Sequence, residues 1–193
     1  MALMDHRNQI YDQWLVVRCL EGDVAALDEL MTRWQERLWR HAARLTGDHD
    51  AAWDVLQETL MAISRGIRRL AEPAAFHKWA YRIASNKCRD HLRRKHRRRT
   101  TMEAYFKEEP AEHAPTAYSV QAMDLREALK RLSNSQQALV SLHYEEGFSV
   151  AEIAEILKIK AGTVKSRLHT ARRQLRAHLL ADSREQMRPQ LEE

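Results

Sequence analysis

The chain has 193 residues, 44% of them apolar and 31% charged, with only 5 Gly and 4 Pro, which is too apolar for a disordered chain and too poor in Gly and Pro for a loop-rich β protein. No apolar run has the roughly 18 residues a membrane span needs, Met1 to Trp14 carries no signal-peptide stretch, and Cys19 and Cys88 are spaced for neither a disulfide framework nor a metal site, so reduced cytoplasmic thiols are expected. The net charge of +5 is unevenly placed (+6 over residues 1–100, −4 over 101–124, +5 over 125–181, −2 over 182–193), as for two modules that each meet a polyanion.

Apolar residues recur at helical spacing through almost the whole chain. A short helix is predicted over Tyr11 to Leu20. From an N-cap at Asp23, Leu27, Leu30, Met31, Trp34, Leu38, Ala42 and Leu45 form one stripe, stopped by Gly47. A third helix starts at Asp48 or Asp50, turns Ala52, Val55, Leu56, Thr59, Leu60 and Ile63 inward, and ends by Gly66. Residues 67–73 break the period, and Pro73 suits a turn or a first helical position. A long fourth helix is predicted to bury Phe76, Trp79, Ala80, Ile83, Ala84 and Leu92, leaving Tyr81 and Arg82 off that stripe and exposed. These helices make an all-α unit over residues 8–99. Residues 100–118, with Pro110, Pro115 and four Glu, read as a flexible acidic linker. A second all-α unit is predicted over residues 119–181. There Ser135 is able to cap the helix that carries Leu139, Val140 and Leu142.

Three segments carry chemistry. Ser149 and Glu152 form a capping box before a short helix whose buried face is Val150, Ile153, Ala154 and Leu157. A second helix starts near Gly162, with Val164, Leu168 and Leu175 inside and Lys165, Ser166, His169, Arg172 and Arg173 outside. Two short helices of this kind are the pattern of a helix-turn-helix, whose second helix fits a major groove; an ordinary helical hairpin with a solvated basic face is the plain alternative. Next, eight of the thirteen residues from Lys87 to Arg99 are Lys or Arg, a density suited to phosphates or to a solvated helix tail. Trp79, Tyr81 and Arg82 lie upstream, and aromatics beside cations suit single-stranded nucleic acid. Finally, Asp54, Gln57 and Glu58 share the outward side of the third helix, by spacing alone a solvated face or a surface for a basic protein. No Gly-rich phosphate loop, nucleophile with its base, or metal-ligand spacing is legible, so no catalytic residue, metal or cofactor is expected.

Asp54-Val55-Leu56-Gln57-Glu58, then Trp79-Ala80-Tyr81-Arg82-Ile83-Ala84-Ser85-Asn86, Asp90-His91-Leu92-Arg93-Arg94, Glu152-Ile153-Ala154 and Gly162-Thr163-Val164-Lys165-Ser166-Arg167-Leu168 resemble, in order and spacing, the segments of bacterial extracytoplasmic-function (ECF) sigma factors. The resemblance spans about residues 12–180. It implies an all-α chain of two small domains: a sigma region 2 bundle (8–99), a linker (100–118) and a sigma region 4 helix-turn-helix (119–181). It implies core RNA polymerase as partner, met at the clamp coiled coil by Asp54, Gln57 and Glu58 and also at the upstream flap, and promoter DNA as target. The −10 element would be held and opened by Arg68, Arg69, Trp79, Tyr81, Arg82, Asn86, Lys87, Arg93, Arg94 and Arg97. The −35 element would be read by Thr163, Lys165, Ser166, Arg167, His169, Thr170, Arg172 and Arg173. An anti-sigma factor is a typical further partner, and no appended sensory domain is expected after Glu193. The chain departs from the pattern at Leu132-Ser133, where Leu-Pro is common, and at Thr170, where Arg is frequent. It also has Leu157-Lys158-Ile159 for Leu-Gly-Ile, which would put Lys158 in a left-handed conformation at a cost of about 1 kcal/mol or more. The competing reading, a helix-turn-helix regulator that does not dock on polymerase, leaves the Asp54 face and the long basic helix without a role.

Overall fold

The computed structural model describes residues 2–103 and 123–186, and no strand occurs among them. None of the described helices is long and apolar enough to cross a membrane. The chain divides into two compact units, one built on the first four helices and one on the last four.

In the first unit, α1 (Ala2–Leu20), α2 (Val24–Thr46), α3 (His49–Gly66) and α4 (Phe76–Glu103) surround an aromatic centre. Both predicted start signals operate. The Asp23 carboxylate accepts from Ala26 N–H at 3.0 Å, and Asp48 accepts from the N–H groups of Asp50 and Ala51 at 3.1 Å each. Gly47 ends α2 with φ at 67°, the left-handed conformation that a residue without Cβ adopts at least cost. Trp34 is buried, with Phe76, His77 and Tyr81 packed edge-on around it at centroid distances of 5.0, 5.3 and 6.0 Å. Its indole N–H donates to buried Asp12 at 3.0 Å, and Asp12 also accepts from Arg33 Nε at 2.8 Å. Between α3 and α4 the chain makes two short 3₁₀ turns, Ile67–Arg69 and Pro73–Ala75, where the period was expected to break. α4 continues through Glu103, four residues past the predicted domain boundary; residues 104–118 of the predicted linker lie outside the described residues.

The predicted inward face of α4 needs correction. The buried positions are Phe76, Ala80, Tyr81, Ala84, Ser85 and Cys88, whereas Leu92 is exposed and Trp79 and Ile83 are half-buried. Small residues dominate the interior of this helix because α2 and α3 lie close against it: Cys88 packs with Ala42, Ala52 and Val55. Burial pushes the Cys88 thiol up to about 12, so it stays a protonated core side chain.

In the second unit, α5 (Met123–Lys130), α6 (Asn134–Val140), a π-helical turn (Ser141–Glu145), α7 (Val150–Leu157) and α8 (Ala161–Gln186) follow in order. Ser133, rather than Ser135, caps α6: it forms a reciprocal capping box with Gln136, so the side chain standing where the family often has proline starts the helix. The predicted box of Ser149 and Glu152 starts α7, with Ser149 N–H donating to Glu152 at 2.9 Å. Ile153 and Ile156 form the buried face of α7, and Val150, Ala154 and Leu157 are half-buried at its margin. Lys158 has φ at 51°, as its place in the turn predicted, and Ile159 N–H closes the helix end on Ala154 O at 3.1 Å. Val164, Leu168 and Ala171 seat α8 on the core, with Leu175 half-buried beyond them.

Candidate nucleic-acid interface

α8 presents two exposed stripes on the side away from its core residues. Lys165, His169, Arg172 and Arg176 follow one another at helical spacing, and Ser166 and Arg173 run beside them. Arg167 is exposed as well, while Thr163 and Thr170 are half-buried. The Ser166 hydroxyl donates to Thr163 O at 3.1 Å, which turns it back onto its own helix. A capped short helix, a tight turn and a second helix with cations on its outer side are the parts a helix-turn-helix requires.

α4 carries the other cationic face. Arg82, Asn86, Arg93 and Arg97 fall on one stripe, with Arg82, Arg93 and Arg97 exposed. Asn86 is half-buried, its amide oxygen accepting from Arg89 at 2.9 Å. Trp79 flanks this stripe and is half-buried, its ring centroid 6.1 Å from that of buried Phe76. Its ring lies over Gly66, where an added Cβ would stand 3.0 Å from Trp79 Cζ2, so the missing side chain lets the indole settle at the end of α3. Arg68 and Arg69 are exposed on the first 3₁₀ turn. Tyr81 does not join this surface. It is 1% exposed, packed edge-on against His41 and Trp34, and the expectation that it faces solvent is overturned.

The predicted acidic-amide face on α3 is split. Asp54 and Gln57 are exposed and aligned with Trp53 and Met61, which are 59% and 47% exposed. Glu58 turns instead toward α4, where Arg94 and Lys87 meet its two oxygens at 2.9 and 3.3 Å. Partial burial works against its charge, but the hydrogen bonds from Arg94 and Lys87 outweigh burial and hold the carboxyl below the usual glutamate range. Two predicted DNA-contacting cations are thus paired with a predicted polymerase-contacting carboxylate.

Two family descriptions match in the same order as the two units: Sigma-70 region 2 over residues 30–98 and Sigma-70 region 4 over residues 122–175. Among curated proteins, the ECF RNA polymerase sigma factor SigM of Mycobacterium tuberculosis is 33% identical over 171 residues, covering 88% of this chain and 85% of that one. The RNA polymerase sigma-H factor of Pseudomonas aeruginosa is 30% identical, covering 85% of this chain and 91% of that protein. The chain belongs to the ECF RNA polymerase sigma factors. This sigma factor is also 37% identical to SigE of Mycolicibacterium smegmatis, over 85% of its own length and 66% of that longer protein. Its fold matches the sigma factor RpoE of Bartonella quintana, solved in complex with the anti-sigma factor NepR, with a TM-score of 0.63 and 28% identity over 82% of this chain and 99% of that one. CnrH, solved with the cytosolic domain of CnrY, shares the fold at a TM-score of 0.57 and 24% identity, over 89% of this chain and 99% of that one. Membership places the sigma factor in promoter recognition and transcription initiation.

Sequence reasoning missed three exposed side chains beside these faces. Trp53 and Met61 flank Asp54 and Gln57, and each lies four residues from Gln57, so helical spacing from Gln57 would have found them. Tyr144 gave no such signal. It follows α6 on the π-helical turn, and its hydroxyl accepts from Arg172 Nε at 2.7 Å.

Proposed function

We propose that the sigma factor carries its three tasks on three separate helix faces. Asp54 and Gln57, with Trp53 and Met61 beside them, dock on a basic surface of core polymerase. Arg68, Arg69, Trp79, Arg82, Asn86, Arg93 and Arg97 hold the opened strand of the −10 element, where the ring of Trp79 offers stacking and the cations follow the backbone. Lys165, Ser166, Arg167, His169, Arg172 and Arg173, with Thr163 and Thr170 at the margin, meet the −35 duplex in its major groove. Strand opening costs a few kcal/mol per extruded base, which base capture and phosphate contacts offset. The polymerase performs the phosphoryl transfer, in the cytoplasm, and this chain contributes no catalytic group.

The observation that carries this reading is the presence of two chemically different exposed stripes on one helical unit: an acid–amide–aromatic stripe on α3 and an arginine stripe on α4. A DNA-binding regulator has use for the second only. The Bartonella relative is held by an anti-sigma factor, which supports a partner of that class here. The test is co-purification with core polymerase followed by mapping of transcript starts. The unaltered chain is expected to form a stoichiometric complex and to redirect initiation; Asp54→Lys is expected to weaken the complex without loss of fold. Failure of the unaltered chain to bind core, or to create any new start, would sink the reading.

A further inference from the structure

The π-helical turn Ser141–Glu145 closes through a hydrogen bond from Glu146 N–H to Ser141 O at 3.0 Å, and Phe148 N–H reaches back to Leu142 O at 3.0 Å. A π turn holds one residue more than an α turn, so it changes the direction in which the following side chains point. Leu142 stays in the core, His143 Nδ1 donates to Phe148 O at 2.9 Å, and Tyr144 is left 55% exposed. The loop after α6 is therefore fixed at both ends while the phenol stands out from it. Arg172 crosses to this phenol from the outer stripe of α8. Its Nε donates to the hydroxyl at 2.7 Å, and its guanidinium carbon lies 5.8 Å from the ring centroid.

That contact engages one of the five N–H donors of the guanidinium. The two terminal amino groups carry the other four, including the end-on fork that matches two phosphate oxygens. An exposed arginine on a helix otherwise samples many rotamers and must be ordered when it meets its target. An arginine held by Nε is already ordered, with its terminal groups still available.

We propose that Tyr144 is a positioning residue that fixes the Arg172 guanidinium so that its terminal amino groups receive a backbone phosphate of the duplex read by α8. The proposal rests on the reading of α8 as the duplex-binding helix, and Tyr144 itself need not touch DNA. The π turn supplies the geometry: it sets a side chain from the helix before the helix-turn-helix against the cationic edge of the recognition helix.

Phosphate contacts are independent of sequence, so a fluorescein-labelled 30-bp duplex of mixed sequence is a sufficient probe for the full chain, titrated over a series of NaCl concentrations. Arg172→Ala is expected to weaken binding and to lower the log–log salt slope by about 0.9. Tyr144→Phe keeps the ring and removes the hydroxyl. It is expected to weaken binding by about three- to tenfold, the range for one hydrogen bond, and to have no effect when Arg172 is already alanine. A Tyr144→Phe chain that binds as well as the unaltered one, or that loses equally with and without Arg172, overturns the proposal. Lys165→Ala separates the two levels. If it weakens binding while Arg172→Ala does not, α8 remains the duplex helix and the Tyr144–Arg172 proposal alone falls. If neither matters, or the unaltered chain binds no duplex at low salt, the reading of α8 falls and the proposal with it.

Discussion

Asp12 is 6% exposed and accepts hydrogen bonds from Trp34 Nε1 and Arg33 Nε, so a single carboxylate satisfies the only polar atom of the central indole. Asp12→Ala would leave that N–H buried without an acceptor, at a cost of about 1–3 kcal/mol. The melting temperature of the full chain should fall by several degrees, and less for Asp12→Asn, which keeps an acceptor; overlapping curves for Asp12→Ala and the unaltered chain would contradict the assignment. None of this was legible in the sequence, because an acid on α1 and an indole 22 residues later share no spacing rule. Glu58 makes a different case. Its spacing put it on the outward side of α3 with Asp54 and Gln57, but it turns toward α4 to pair with Lys87 and Arg94, which depends on how α3 and α4 cross. Its carboxyl is held below the usual range in the folded chain, so its contribution to stability is complete above the ordinary glutamate value and is lost as the pH falls through the depressed one. Melting curves of the unaltered chain and Glu58→Gln should therefore lie apart near neutral pH and converge on acidification. A gap that widens on acidification would reverse the assigned sign.

At the scale of the element, starts and stops were the most legible features, since each is a local exchange between a side chain and nearby backbone. Asp23, Gly47 and the box of Ser149 with Glu152 act where the sequence placed them, and of the two starts offered for the third helix Asp48 is the one that caps it. Faces were less legible where small residues line the interior. On α4 the large apolar residues Trp79, Ile83 and Leu92 suggested an inward stripe, yet Ala80, Ala84, Ser85 and Cys88 hold that place with Tyr81 among them. Close helix approach selects small side chains, and a count of large apolar residues passes over them. Lys158 was legible for the opposite reason, because the left-handed conformation belongs to the turn itself and the turn was visible. Lys158→Gly should relieve about 1 kcal/mol or more of backbone strain, and the melting transition of the C-terminal unit should move upward. Ser133→Ala should move it the other way, with the loss of about 0.5–2 kcal/mol typical of an N-cap. A stable Ser133→Ala chain would mean that Ser135 takes over the cap.

For the whole molecule, the block pattern of charge was visible in the sequence, but which cations reach solvent was not, because that depends on which acids fold back onto them. On α4, Lys87 and Arg94 are balanced by Glu58 and Lys95 lies 3.3 Å from Asp48, whereas Arg82 and Arg93 stand exposed on the stripe shared with Asn86. The basic run is therefore a mixture of internally paired and outward-facing charge, and it should not behave as a uniform polycation. Counterion release measures the difference. Each cation that neutralises a phosphate contributes about 0.7 to the log–log salt slope on a single strand and about 0.9 on a duplex. Removing Arg82 and Arg93 together should lower the slope for open-complex formation by roughly 1.4 to 1.8 on that scale. Removing Arg94 should lower it by less than one such unit, since part of its charge is already countered by Glu58. Conversely, Glu58→Gln frees Lys87 and Arg94 and should steepen the slope, even as it removes a carboxylate from the side of α3 nearest the polymerase-docking face. The measurement is the salt dependence of complex formation by polymerase carrying each variant, on a promoter taken from the mapped starts. Equal losses of slope for Arg82, Arg93 and Arg94 would show that the pairing with Glu58 does not persist in the complex, and that all of these arginines reach the phosphates alike.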